Sequence, residues 1–119
     1  MSNLWGTEAW SFLHNITFNY PLKPKIEDKK NYYLFFKNIG NILPCSECNK
    51  HYKNLFKYID IKIFLENRYS LIWWLFVIHN LINKRLYKKI YKFEKLIDKY
   101  YEFNKNNICN KCSNNIDDI

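Results

Sequence analysis

Glycine occurs twice and proline three times in 119 residues. So few turn formers exclude a many-stranded sandwich or barrel. Arginine is scarcer than the charge suggests, since only Arg68 and Arg85 stand beside seventeen lysines. Proteins that read base edges and phosphates lean on the arginine fork, and here the lysines are scattered along the chain. A nucleic-acid role is therefore set aside despite a net charge of +8. Asn, Lys, Ile and Tyr supply 59 of the 119 residues, and their AT-rich codons account for much of the basicity. The most apolar run, Leu71 to Ile78, has eight residues, whereas a membrane span needs about 20. No basic start followed by an apolar stretch opens the chain, so neither a secretory signal nor a membrane anchor is expected. The expected compartment is the cytoplasm, where structural disulfides are uncommon.

What is abundant is apolar and aromatic surface, 48% and 19% of the residues, which excludes disorder. The length suits one small domain with a single core. Apolar side chains recur at helical spacing, and the fold class is all-α. Residues 3 to 18 carry Trp10, Leu13, His14 and Phe18 on one face. Tyr20-Pro21-Leu22-Lys23-Pro24 breaks that helix. A second helix is expected from Asp28, as N-cap, through Tyr32, Phe35, Phe36 and Ile39 to Leu43. Pro44 closes it and leads into a third helix over 45 to 58. A fourth spans about 63 to 89, and Ile90, Phe93, Ile97 and Tyr100 continue the period, after a bend or as a separate short helix. Residues 1–103 form the expected domain, and the Asn-rich stretch 104–119 reads as a flexible tail.

The chemistry concentrates in two CxxC pairs, Cys45-Ser46-Glu47-Cys48 and Cys109-Asn110-Lys111-Cys112. Four such sulfurs suit either a tetrahedral zinc site in a helical interaction module or two redox-active dithiols. The 60 residues between the pairs exceed the usual zinc-ribbon spacing. The first pair also falls at a helix start, where free backbone N–H groups and the dipole favour a thiolate. Trp10 and His14 share one helical face, as do His79 and Asn83 inside an otherwise apolar stretch. A satisfied core polar group is the ordinary explanation for each pair taken alone. A heterocyclic ligand would satisfy several of them together, with Trp10, Trp73, Trp74 and Tyr52 available for stacking.

The order Gly6-x-x-x-Trp10-x-x-Leu13-His14, Tyr20-Pro21-x-x-Pro24, Pro44-Cys45-x-x-Cys48 and His79-Asn80-x-x-Asn83-x-Arg85-Leu86 resembles the Erv/ALR family of FAD-linked sulfhydryl oxidases. Size, lysine and asparagine content and the C-terminal CxxC are most similar to a viral member. The resemblance implies a four-helix bundle plus a short fifth helix, with FAD at the mouth of the bundle. It implies that Gly6, Trp10, His14, His79, Asn80 and Asn83 surround FAD, with Tyr52 and Lys88 as further contacts. Cys48 would lie next to the flavin ring and Cys45 would be the interchange sulfur. Cys109 and Cys112 would form a shuttle, and no metal is implied.

The same resemblance implies protein dithiols as substrates, a thioredoxin-like or virion redox protein among them, and oxygen as acceptor with release of hydrogen peroxide. It further implies a homodimer, with Tyr32, Tyr33 or Phe36 as its exposed patch, and a place in the host cytoplasm or virion. Three departures stand out. Thr7 replaces a common Arg, Phe76 replaces a cysteine of a second disulfide, and Tyr87-Lys88-Lys89 replaces a common Gly-Lys-Pro.

Overall fold

The computed structural model describes residues 4–104. Five helices form in order: α1 (Gly6–Phe18), α2 (Ile26–Ile39), α3 (Ser46–Tyr58), α4 (Arg68–Arg85) and α5 (Phe93–Asn104). A 3-10 turn over Ile61–Phe64 links α3 to α4, and no strand occurs among the described residues. The all-α expectation holds. Cys109 and Cys112 lie outside the described residues.

Three helix starts are fixed by side chains that accept otherwise orphaned backbone N–H groups. Asn67 Oδ1 accepts from Ser70 N–H at 2.9 Å, so α4 starts at Arg68 rather than near residue 63. Asp60 accepts from Lys62 N–H at 3.0 Å and turns residues 61–64 into the separate 3-10 element. Asp28 is not the cap of α2. It sits at the third helical position, and its carboxylate reaches back to the N–H of Lys25, 2.8 Å away. That arrangement is one arm of a capping box, and it moves the start two residues upstream of the expected Asp28.

The far end of α4 closes four residues earlier than expected. Tyr87 adopts φ 58°, while Tyr87 N–H donates to Lys84 O and Lys88 N–H to Asn83 O. These paired bonds are the Schellman closure, which reverses the chain through one left-handed residue. The turn carries residues 88–92 back along α4, where Tyr91 meets Asn80 and His79, and into α5.

α4 is the central element. Leu71, Ile72, Trp74, Leu75, Phe76, Ile78 and Ile82 are buried around most of its circumference, as expected for a helix with neighbours on all sides. One cluster joins it to Leu13 of α1, Phe36 and Ile39 of α2 and Tyr52 of α3. A second joins Phe18, Ile72 and Phe76 to Leu96 and Tyr100 of α5. Tyr20 is fully buried after α1 and donates its hydroxyl to Leu65 O at 2.7 Å, tying α1 to the start of α4. Phe36 is also fully buried, so it cannot belong to an exposed dimer patch, and Tyr32 and Tyr33 are half-buried. The exposed apolar side chains of α2 are instead Ile26 at its start and Leu34 and Phe35 in its middle.

Candidate functional site: a disulfide and two cavities around helix 4

Cys45 and Cys48 are joined as a disulfide with Cα atoms 5.2 Å apart. Cys45 caps α3 directly, its Sγ accepting from Cys48 N–H at 3.2 Å. The loop before it is held by Asn49, whose amide pairs with both Leu43 N–H and Leu43 O at 3.1 Å. Both cysteines are half-buried. They open on an apolar cavity of about 300 Å³ with Leu43, Glu47, His51, Ile82, Arg85 and Leu86 as its other walls. A disulfide leaves no thiolate for zinc, and no group of three or more His, Cys, Asp or Glu among the described residues is placed to hold a metal ion.

A second cavity, of about 330 Å³, lies between α1, the end of α4 and α5. Gly6, Trp10, His14, His79, Asn83 and Lys88 line it. The structure thus brings together six of the eight residues singled out for cofactor contact. Trp10 stacks on His79 with centroids 3.8 Å apart and planes 9° from parallel. His14 Nε2 and His79 Nδ1 share a hydrogen bond of 2.8 Å. Whichever ring supplies that proton, the buried His14 Nδ1 is left without a protein partner. Burial, then His79 and Lys99, bring the His14 pKa down to about 3. Burial, then Lys99 and Lys88, bring His79 to about 4. Both imidazoles are therefore neutral at pH 7. The cavity joins uncharged ring edges to lysine ammoniums from Lys88, Lys89, Lys95 and Lys99.

Asn80 and Tyr52 stand apart from this lining. The Asn80 amide donates to Tyr91 O and accepts from Tyr91 N–H, both at 3.0 Å, so it pins the segment that carries Lys88 and Lys89. Tyr52 is buried between α3 and α2 and donates its hydroxyl to Phe36 O. Its hydroxyl pKa is pushed up by that burial. Trp74 also faces the core, donating to Ile59 O at 3.0 Å. Trp73 packs edge-on against Phe93. Thr7, at the position where the resemblance leads one to expect Arg, lines the α1 cavity. Lys95, Lys99 and Tyr100 also line this cavity, although residues 90–100 carry no more than a continuing apolar period in the sequence. His51 lines the disulfide cavity, and its place three residues after Cys48 puts it on the same helical face.

The family model described as Erv1 / Alr matches residues 7–102. The chain belongs to the Erv1/Alr family. It is 36% identical over 95 residues to a probable FAD-linked sulfhydryl oxidase of Acanthamoeba polyphaga mimivirus, covering 79% of this chain and 66% of that protein. It is 32% identical over 87 residues to the FAD-linked sulfhydryl oxidase of African swine fever virus (isolate Pig/Kenya/KEN-50/1950), covering 72% and 71%. The crystal structure of the yeast Erv1 core superposes with a TM-score of 0.75 at 25% identity, over 80% of this chain and 79% of that one. The chain spans roughly half to two thirds of the length of the first relatives that it matches. The all-helical arrangement around α4 is thus the Erv1/Alr fold, and Cys45–Cys48 lies within the matched residues.

Proposed function

We propose that this chain is an FAD-dependent sulfhydryl oxidase that forms disulfides in substrate proteins. The observation that carries the reading is the pairing of Cys45–Cys48 with two cavities that share the end of α4. Ile82 faces the disulfide cavity and its neighbour Asn83 faces the cationic one.

The residues present fit FAD. The orphaned His14 Nδ1 calls for a ligand polar atom, since a buried group left bare costs about 1–3 kcal/mol. The Trp10–His79 stack offers an aromatic face. Lys88, Lys89, Lys95 and Lys99 supply countercharge for a diphosphate. In this reading Gly6, Trp10, His14, His79, Asn83 and Lys88 hold FAD. Asn80 positions the loop that brings Lys88 and Lys89 to it, and Tyr52 anchors the cysteine helix to α2 through Phe36 O.

When bound, FAD would supply a two-electron acceptor for the reduced cysteine pair, with oxygen as the final acceptor and hydrogen peroxide as its product. The chain's own contribution begins at Cys45, the interchange sulfur. The backbone N–H groups at the start of α3 stabilise thiolate there. Exchange with a substrate dithiol leaves Cys48 as the sulfur that faces the cofactor. Residues 1–103 then act as the oxidase domain, and Cys109–Cys112 in the tail 104–119 acts as the dithiol that receives electrons from protein thiols. The viral relatives support a viral setting, with virion proteins in the host cytoplasm as substrates. A homodimer would cover Leu34 and Phe35, which sedimentation measurements would detect as a doubled mass.

The test of the core reading is a visible absorbance spectrum of the purified protein. A flavin band that bleaches with dithiothreitol under argon and returns on admitting air is the expected result. A colourless protein, or one whose colour ignores dithiol, overturns it.

A further inference from the structure

Resting on the oxidase reading, we propose that the surface around Cys45 docks acidic, extended protein segments, so that the chain selects dithiols flanked by carboxylates. AT-rich codons account for the number of lysines, but not for where the eleven carboxylate side chains stand. From residue 29 to 59 the only carboxylate is Glu47, and from 67 to 93 there is none. Those stretches supply the end of the bundle that holds the disulfide, where the start of α3 meets the last turn of α4. Lys50, Lys53, Lys84 and Arg85 are all exposed there. Lys50 and Lys53 lie one turn apart on α3, and the stem of Lys53 packs over Gly40. Among the described residues none of these four cations is paired with a carboxylate. The ion pair of Lys29 with Glu66, at 3.1 Å, lies at the opposite end of the bundle. Glu27, Asp28 and Asp60 stand at that end too, at the start of α2 and just after α3.

Carboxylates beside a thiol keep it protonated in the free substrate, because like charges disfavour the thiolate. Seated against Lys50 and Lys53, the same carboxylates are neutralised, and the thiolate forms next to Cys45. The approach is over the outer side of Cys45, between the exposed Pro44 and Ser46, and Cys48 keeps its place facing the cofactor. A substrate thiol loses its proton to solvent, its sulfur pair bonds to Cys45 Sγ, and the Cys45–Cys48 bond breaks with its pair on Cys48. The second substrate thiol, its proton also lost to solvent, attacks the first substrate sulfur, and Cys45 leaves with the pair of the mixed disulfide bond. The substrate has lost two electrons, and the cysteine pair has gained them. A polynucleotide would call instead on arginine forks, and Arg85 is the one arginine on this surface.

The experiment is stopped-flow bleaching of the holoenzyme's flavin under argon by peptide dithiols with one Cys-Gly-Gly-Cys core, flanked by aspartate, asparagine or lysine. Each rate is divided by that peptide's rate with a small aromatic disulfide in solution, which removes the thiols' own reactivity. At about 20 mM salt the aspartate peptide should react roughly tenfold faster than the asparagine one, closing to about twofold at about 0.5 M. Lys50→Glu with Lys53→Glu should abolish the preference. Lys50→Gln with Lys53→Gln, which removes charge but keeps most of each stem, should cut it to about threefold. Both double variants should keep dithiothreitol bleaching within about twofold of wild type. Lys23→Glu with Lys30→Glu makes the same charge change at exposed positions of the opposite end and should keep the preference. Equal rates for the three peptides would overturn the proposal. So would an equal loss of preference from changes at either end, which would assign the effect to net charge. Duplex DNA that binds the wild type and is lost by the Lys50 and Lys53 variants, with their peptide preference intact, would make this a nucleic-acid surface and also overturn it. A wild-type protein that dithiothreitol fails to bleach would instead bring down the oxidase reading on which the proposal rests.

Discussion

His14 is 1% exposed, and that burial has a consequence for stability. Its pKa falls from 6.5 to about 3, and that of its hydrogen-bonded neighbour His79 falls to about 4. Both rings therefore bind protons less readily in the folded chain than in the unfolded one. Their contribution is complete above pH 6.5 and is lost as pH falls toward 4 and below. Each ring adds up to about 1.4 kcal/mol per pH unit in that window. Thermal unfolding should show a midpoint dropping steeply below pH 6.5. His79→Asn should flatten that dependence even if it lowers the midpoint at pH 7.5. The opposite opportunity lies at Tyr87, which holds φ 58° with its side chain 98% exposed. A non-glycine residue in the left-handed region costs about 1–2 kcal/mol, and this side chain recovers nothing by packing. Tyr87→Gly should raise stability by about 1 kcal/mol in urea unfolding, because glycine enters that region freely. No gain would mean that the exposed ring is held by something outside residues 4–104.

At the scale of helices, the packing of α2 on α3 depends on a close approach at Gly40. A Cβ added there would lie 2.9 Å from Lys53 Cγ and 3.1 Å from the Tyr52 ring. Lys53 can swing aside, but the Tyr52 ring is buried and its hydroxyl is engaged by Phe36 O. Gly40→Ala should therefore cost about 1–3 kcal/mol in urea unfolding, as overpacked sites do. α5 is held differently. Phe93 meets Phe76 at 5.2 Å and Trp73 at 5.1 Å, both edge to face, so aromatic packing stands at the position where Phe76 replaces a cysteine. Phe93→Ala should weaken flavin retention, measured as loss of flavin on dilution and filtration, because α5 carries Lys95, Lys99 and Tyr100 to the cavity wall. Much of this level was legible in the chain, since apolar periodicity located the first four helices and the cysteines announced the start of α3, while the separate α5 was only one of two readings of the period after residue 89. Helix boundaries were less legible, because Asp28 is equally at home as an N-cap or as a third-position partner. The α5 lysines were also hidden. Their role comes from the reversal at Tyr87, which no local period encodes.

Taken whole, the molecule places its two cavities on different faces of one helix, so that a thiol can reach Cys45 without entering the space lined by the lysines. This separation suits a relay. The cavity at the disulfide is about 300 Å³, large enough for a small dithiol but not for a folded protein's surface. On the proposed reading a protein substrate then needs a carrier that fits, and Cys109–Cys112 would be such a dithiol on the same chain. Because it belongs to the same chain, the tail pair would meet Cys45 at a raised effective concentration and should outcompete free protein thiols for it. Replacing both Cys109 and Cys112 with Ala should leave oxygen consumption with dithiothreitol within about twofold of wild type, while oxidation of a reduced thioredoxin-like protein falls about tenfold or more. Equal losses on both substrates would indicate that the tail cysteines support the fold rather than carry electrons. No loss on either would show that protein dithiols reach Cys45 directly, and the size argument drawn from the cavity would then fail.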